Sequence, residues 1–530
     1  MTPPSGRELQ FRIEDMLVPA AFPHAVTHLD LKETHVSWVV LTGHLAYKIK
    51  KPVRYEFIDA TTLELRHALC EEELRLNRRL APDLYLDVVA IGHENGRLQI
   101  GGRGEPVEYA VRMREFDPSE QLDAQLAQNA VTPHDLSTFA ARLADLHDQA
   151  AVAEPDSPYG AYECVRAQMF DNLAPLRAHL QDVEALLTLD GLTRWTGDSL
   201  ARLEPLISLR KQSGRVRECH GDLHARNIVR WRQQWLPFDC LEFAADLRWI
   251  DVMSDVAFLF MDLIARGHAD LAYEFLSRYL EKTGDYPGLR LLPLYAAYRA
   301  LVRAKVDALG AETAGLEERQ TLNAHLAQRL KIAVRFMEAG LPALVIMHGV
   351  TACGKSWLSE QLIAAIHAVR MRSDLERKRL AGEAPVRRRA FEVGEGAYAT
   401  SSINQTYERL LECAESVLEG GCSAIVDATF LKAGHREMFH ALALRRRCPF
   451  LIVSCCTDRA TLKARLERRT RSGLDPSEAT LDVLEEQLRI QEPLTVEEQS
   501  HTVQIDTSRL TSADAGIEAI KARFARAVGH

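Results

Sequence analysis

The sequence predicts two domains of different class in one chain: an α+β domain over about 1–335 and an α/β domain over about 341–530 with a parallel, doubly wound sheet. Three observations predict it. A β-rich stretch, about 30–116, precedes a helical one, about 117–335. The helical pattern breaks at Gly340 and Pro342. Beyond the break, short apolar runs alternate with helical segments, the pattern of strands joined by helical crossovers.

The first domain reads in order. Residues 37–51, SWVVLTGHLAYKIKK, are two strands around a Thr-Gly-His turn, since both arms are rich in β-branched, aromatic and aliphatic residues. TTLELRHALCEEELRLNRRLAP (61–82) is a helix: Thr61 or Thr62 caps it, leucines recur at helical spacing and Pro82 follows its end. YLDVVAIGHENGRLQI (85–100) is a hairpin with ENG at its turn, and VEYAVRMREF (107–116) is a further strand. Helical patterns then dominate to about 215. IVRWRQQWLPFD (228–239) gives two short apolar runs around a polar turn, and 246–339 is helical again.

In the second domain ALVIMHG (343–349) is a buried strand and KSWLSEQLIAAIHAV (355–369) the helix directly after it. CSAIVDATF (422–430) and FLIVSCCT (450–457) are further apolar strands.

Charge and cysteine usage bound the function. A net charge of −9 argues against a general nucleic-acid binder. The ten cysteines include no CxxC pair, which argues against a zinc ribbon and for a reducing cytoplasm. The N-terminal MTPPSGRELQ has no apolar signal core. DVAFLFMDLIA (255–265) is too short and too acidic to span a bilayer. A cytoplasmic protein with no membrane partner is expected; the oligomeric state stays open.

GVTACGKS (349–356) satisfies G-x-x-x-x-G-K-[ST] between a predicted strand and a predicted helix. The backbone of Gly349, Val350, Thr351, Ala352, Cys353 and Gly354 would curl around phosphate oxygens, aided by the helix N-terminus. Lys355 would reach the β- and γ-phosphates of ATP and Ser356 would ligate Mg²⁺. Asp427 ends an apolar strand, where a carboxylate can hold Mg²⁺ or orient a substrate. RATLKARLERRTRSG (459–473) sets Arg465, Arg468 and Arg469 on one helical face with Arg471 just beyond, able to close over a phosphoryl group. The alternative for that stretch is a solvated basic helix or a nucleic-acid patch.

The phosphate loop, RSDLERK (372–378), GGCSAIVDATF (420–430), the arginine-rich segment and IDTS (505–508) together resemble small P-loop kinases of the zeta-toxin and gluconate-kinase type, over about 343–530. The resemblance implies that Asp374 is the base for a substrate hydroxyl and that arginines such as Arg468 and Arg471 form a lid. It also implies that Asp506 and Thr507 lie near the adenine.

HGDLHARN (220–227) has the D-x-x-x-x-N spacing of a kinase catalytic loop in Asp222 and Asn227. Asp239 lies across the predicted hairpin from Asn227, where both can face one Mg²⁺. LAYKIKK offers Lys48 for the ATP phosphates, with Lys50 on the same face. Of Glu71, Glu72 and Glu73, Glu73 has the leucine spacing around it that favours pairing with that lysine. Asp251 with Asp255, and Arg299 with Arg303, read first as salt bridges between helices and second as braces for the catalytic loop.

HGDLHARN followed by FDCLEF (238–243) resembles the aminoglycoside phosphotransferase and choline-kinase branch of kinase-like folds, over about 30–310. The resemblance implies Asp222 as base, Asn227 and Asp239 as Mg²⁺ ligands and Lys48 as phosphate lysine. GHLA (43–46) departs from a glycine-rich G-x-G-x-x-G loop, and no glycine completes Asp-Phe-Gly after Asp239; Glu242 comes three residues on. The whole chain, with this domain order, resembles bacterial proteins labelled as bifunctional aminoglycoside phosphotransferase/ATP-binding proteins. The expectation is an ATP-dependent, Mg²⁺-using phosphotransferase acting on small-molecule acceptors. The alternatives are a regulatory protein with one site as a nucleotide switch, and a toxin that phosphorylates a nucleotide-sugar.

Overall fold

The computed structural model describes residues 11–55, 58–338, 340–382, 400–472, 480–508 and 510–528. Its backbone contacts form two compact units. One comprises residues up to 131 with 146–164 and 207–255; the other comprises 132–145, 165–206 and residues from 256 onward.

The first unit is built on a six-stranded antiparallel sheet. Its chain order is β1 (Asp30–Glu33), β2 (Ser37–Leu41), β3 (Leu45–Lys50), a two-residue-per-arm hairpin β4 (Arg54–Tyr55) and β5 (Ile58–Asp59), the helix Leu63–Leu80, β6 (Tyr85–Glu94), β7 (Arg97–Ile100) and β8 (Glu108–Arg114). The sheet order is β1-β2-β3-β8-β6-β7. Of the two threonines that could cap the helix, Thr62 does so, accepting from the Leu65 amide. The β6–β7 turn puts Asn95 and Gly96 at positive φ, as a two-residue hairpin demands. Both faces of β3 are buried. Tyr47 and Ile49 pack with Phe22, Val40 and Ile91, while Ala46 packs with Leu74, Val111 and Phe238. Lys48 and Lys50 share the face of Ala46.

Below that sheet in the chain come β9 (Val216–Glu218), β10 (Ile228–Trp231), β11 (Gln234–Pro237) and β12 (Trp249–Asp251). β10 and β11 form the expected hairpin, Ile228 opposite Pro237. β12 pairs antiparallel with β9. The HGDLHARN loop joins β9 to β10.

The second unit holds a five-stranded sheet, all parallel: β13 (Leu344–His348), β14 (Ala368–Arg372), β15 (Ser423–Asp427), β16 (Phe450–Cys456) and β17 (Thr502–Asp506). The order is β14-β15-β13-β16-β17, so the chain winds one way from β13 and then the other. That switch point lies at the C-terminal end of β13, where doubly wound sheets bind ligands. The helix Lys355–Ile366 follows at once and packs Leu358 and Leu362 onto Val345, Ile425 and Val453. The helix Ala269–Thr283 lies in the same unit, joined through the Arg278–Glu360 ion pair and a 2.7 Å pair between Glu281 and Arg370. Among the described residues no helix is long and apolar enough to cross a membrane.

Candidate active sites

Lys48 leaves β3 toward the helix Leu63–Leu80. Its ammonium donates to Glu73 Oε1 at 2.8 Å and to Asp239 Oδ1 at 2.5 Å. Lys50 donates to Glu73 Oε2 at 2.5 Å and to Glu242. Two ammonium groups therefore face three carboxylates, and Lys50 and Glu73 have no exposed side-chain surface. Burial alone would depress Lys48; the Asp239 and Glu73 carboxylates outweigh it and hold Lys48 well above its ordinary value. Burial likewise works to raise Glu73 and Asp239, and the lysines win, leaving both carboxyls lowered. At Glu242 burial prevails over Lys50 and the carboxyl is raised. The sequence pointed to Lys48 and Glu73. It met Glu242 only as a departure from Asp-Phe-Gly, whereas the side chain is the second partner of Lys50.

The catalytic-type loop is held from several sides. Gly221 sits at φ +86, and a Cβ there would lie 2.8 Å from the Leu247 carbonyl, so only glycine fits. The amides of His220 and Gly221 each donate at 3.0 Å to Asp255, one to each carboxylate oxygen. The Asp222 amide donates to His220 Nδ1 at 3.2 Å, and His220 Nε2 lies 2.8 Å from the Phe238 carbonyl. One ring nitrogen accepting and the other donating selects the neutral imidazole protonated on Nε2. Burial lowers the His220 pKa and keeps that form. Asn227 donates to the Asp222 carbonyl at 3.0 Å and to its Oδ2 at 3.1 Å. The Phe238 amide donates to the Asn227 carbonyl at 2.9 Å, which brings Asp239 alongside at φ +63. Asp251 forms the salt bridge the sequence favoured, to Arg210 at 2.6 Å. Asp255 meets both readings: its Oδ2 lies 3.3 Å from His147 Nε2 on the helix Pro133–Gln149, and because it sits in the first turn of its own helix (Val252–Ala265) it also braces the loop's amides.

Lys48, Asp222 and Asp239 line one cavity of about 430 Å³ together with the apolar Val39, Leu41, Met113 and Phe116. Thr34 and Val36, in the β1–β2 turn, also line it. The Gly43 turn, which the sequence set beside a glycine-rich loop, is occupied elsewhere: its amides at Thr42 and Gly43 donate to Glu115 Oε2 at 2.9 and 2.7 Å. Asn227 and Asp239 offer amide and carboxylate oxygens, the hard donors Mg²⁺ takes, and the surplus of carboxylate over ammonium charge suits a divalent cation.

In the second unit GVTACGKS curls at the end of β13. Gly354 sits at φ +95, and a Cβ there would lie 2.9 Å from Thr507 Oγ1. The Gly349 amide donates to the Thr429 carbonyl at 3.1 Å, and the Thr351 amide to Gln487 Oε1 at 2.7 Å. Ala352 has φ +61. Lys355 folds back to donate to the Val350 carbonyl at 2.8 Å, and its Nζ lies 3.8 Å from Cys353 Sγ. The Cys353 thiol is lowered to about 6, first by a hydrogen bond from Cys455 and then by Lys355 against the opposing effect of burial. Thr351, Ala352, Gly354, Lys355 and Ser356 line a cavity of about 140 Å³ together with Asp374 and Asp427. Asp427 accepts from Ser359 Oγ at 3.1 Å. Ser356 and Asp427 present hydroxyl and carboxylate oxygens, a donor set that fits Mg²⁺.

Arg372 and Arg377 line the same cavity. Arg377 lies 3.5 Å from Asp374, one helical turn away. The sequence reading passed over them, although the i, i+3 spacing of Asp374 and Arg377 carried the signal. On the arginine-rich helix Arg459–Ser472, Arg465 donates to the Thr507 carbonyl at 2.6 Å, to Thr507 Oγ1 at 3.1 Å and to the Ala352 carbonyl at 3.3 Å. Arg468 is exposed, and the side chains of Arg469 and Arg471 lie outside the described residues. Thr507 Oγ1 donates to the Cys353 carbonyl at 2.6 Å, directly under the phosphate loop, and Asp506 accepts from the Ser508 amide at 2.8 Å.

Comparison with known proteins agrees with the loop. Residues 344–494 match the family model AAA_33, described as an AAA domain. A relative, the uncharacterized protein Rv2004c of Mycobacterium tuberculosis, is 29% identical over 463 residues, spanning 87% of this chain and 90% of that protein. Two solved structures are similar in parts. A sugar kinase from Janibacter sp. matches at 18% identity and TM-score 0.27, over 35% of this chain and 98% of its own. A choline kinase from Cryptosporidium parvum matches at 13% identity and TM-score 0.39, over 62% of this chain and 96% of its own. The stretch matched by the AAA_33 model holds the phosphate loop, Asp374 and Asp427.

Proposed function

We propose that the chain is an ATP-dependent phosphotransferase with two Mg²⁺-ATP sites, each phosphorylating a hydroxyl group of a small molecule. The observation that carries this is the recurrence of one set of groups in two separate cavities. Lys48, Asp222 and Asp239 line the first; Lys355, Asp374 and Asp427 line the second. Each set has a cation for phosphate, a carboxylate for a hydroxyl proton and oxygen donors for a metal.

In the first site Lys48 binds phosphate oxygens and Glu73 fixes its direction. Asp222 takes the acceptor's proton, oriented by Asn227 and by the neutral His220. Asn227 and Asp239 would hold Mg²⁺. In the second, the loop amides and Lys355 bind phosphates, Asp374 takes the proton, and Ser356 and Asp427 would hold the metal. When bound, Mg²⁺ neutralises phosphate charge and orients the chain of phosphates. What the residues themselves contribute is alignment of the hydroxyl for in-line attack and a fixed set of charges around it. The ten cysteines include no CxxC pair, which suits a reducing cytoplasm, and the net charge of −9 suits a partner other than nucleic acid.

The test is phosphoryl transfer from labelled ATP to a metabolite pool by the full chain, Asp222→Asn and Lys355→Ala. Each variant is expected to lose a different labelled product. Two variants that match the wild type on every product would refute the two-site reading.

A further inference from the structure

We propose that Glu281 is a positioning residue for the P-loop site, acting through Arg370 and Ser359 on Asp427 and on the backbone of Ser356. This rests on reading that site as a Mg²⁺-nucleotide site.

The helix Ala269–Thr283 sets Glu274, Ser277, Arg278 and Glu281 on one face, at i, i+3, i+4 and i+7. Arg370, in the middle of β14, is 1% exposed. Two of those helix residues hold it. Its amide donates to Ser277 Oγ at 3.0 Å, and its Nε donates to Glu281 Oε1 at 2.7 Å. The far end of the guanidinium then reaches the phosphate-loop helix, where Nη1 donates to the Ser356 carbonyl at 3.1 Å and to Ser359 Oγ at 3.3 Å. With Ser359 Oγ accepting from Arg370, its own proton is left for Asp427 Oδ2 at 3.1 Å or the Ser356 carbonyl at 3.1 Å. The ionised carboxylate is the stronger acceptor of the two, so the proton favours Asp427.

Asp427 is 5% exposed and is the nearest other acid in this chain of contacts. A buried guanidinium beside it, lacking a counter-ion of its own, would be drawn to that carboxylate and compete with a cation there. Glu281 prevents this by pairing Arg370 on its Nε side. Its other oxygen accepts from Arg278 Nη1 at 3.0 Å, and Arg278 in turn pairs with Glu360 on the phosphate-loop helix. Burial works to raise the Glu281 carboxyl, but Arg370 and Arg278 outweigh it and lower it to about 2, so the group is ionised at neutral pH.

The experiment uses the full chain and titrates Mg²⁺ against a fluorescent ATP analogue. The binding component that Lys355→Ala removes is the P-loop component. Glu281→Gln keeps the shape and a hydrogen-bond acceptor but drops the charge. It is expected to raise the Mg²⁺ half-saturation of that component about tenfold, the usual cost of losing a group that orients a metal ligand. Nucleotide affinity at saturating Mg²⁺ should change little, and Glu281→Asp should recover part of the loss. An unchanged Mg²⁺ midpoint in Glu281→Gln overturns the positioning role and leaves the site reading intact. Absence of any Lys355-dependent component overturns both. If Glu281→Gln does not fold, Ser359→Ala leaves the buried ion pair in place and must itself raise the midpoint; no change there overturns the proposal.

Discussion

The Asn227 side-chain amide donates to both the carbonyl and the carboxylate of Asp222, at 3.0 and 3.1 Å. One residue thereby sets the direction of the proposed base and is itself oriented by it. Asp222→Asn would keep the size and lose the proton acceptor. Phosphoryl transfer at the first site is expected to fall 10²–10⁴-fold, roughly the worth of a general base, with nucleotide binding retained. Paired turnover and binding measurements check this; equal losses in both would point to collapse of the loop instead.

Glu73 is the common partner of Lys48 and Lys50. Glu73→Ala would leave Lys48 only Asp239 and Lys50 only Glu242, and the loss of a charged hydrogen-bond partner costs about 1.5–3 kcal/mol. Chemical denaturation should place the variant well below the wild type, and a loss under 1 kcal/mol would contradict the cluster as described.

Asp255 receives the amides of His220 and Gly221 on its two oxygens. Asp255→Asn would turn an NH₂ group toward one of those amides. Charged hydrogen bonds are worth about 1.5–3 kcal/mol each, so stability should fall on that order. First-site turnover should fall with it, since the same amides shape the backbone directly before Asp222. Asp255→Asn with wild-type turnover would contradict the bracing role.

His348, at the end of β13, lies 2.9 Å from Ser454 Oγ; burial first, then Arg436 and Lys355, depress its pKa from 6.5 to about 4. A depressed folded-state pKa means the unfolded chain takes the proton first. The contribution of His348 is complete above about pH 6.5 and is lost as pH falls toward 4, at most about 3 kcal/mol. Unfolding free energies across that window should drop less steeply in His348→Gln than in the wild type.

Much of the first site was legible because its residues obey local periods. Lys48 and Lys50 sit two apart on a strand, Glu73 sits among leucines on a helix, and Asp222 and Asn227 carry a recognisable spacing. The phosphate loop was legible from GVTACGKS and the strand before it. Other parts had no local signal. The turn that lines the first cavity is Thr34–Val36, with no glycine to mark it. Asp255 looked like one acid of a helix pair, since the amides it binds are 34 and 35 residues away. Arg370 reads as a stray charge in AVRMR because its acid, Glu281, lies 89 residues back in the chain. Thr507 was read as an adenine neighbour and Arg465 as one of three arginines able to close over a phosphoryl group; both hold backbone carbonyls of the phosphate loop, Thr507 that of Cys353 and Arg465 that of Ala352, a relation only the folded sheet creates.

The pairing of Arg370 with Glu281 also bears on how the chain can be divided. A fragment starting at residue 341 would retain the whole parallel sheet and every residue of the phosphate loop. It would also carry a buried guanidinium stripped of its counter-ion, and a β14 amide without the Ser277 hydroxyl that receives it. Excised along its most obvious seam, the half that carries the phosphate loop would lose part of its own foundation.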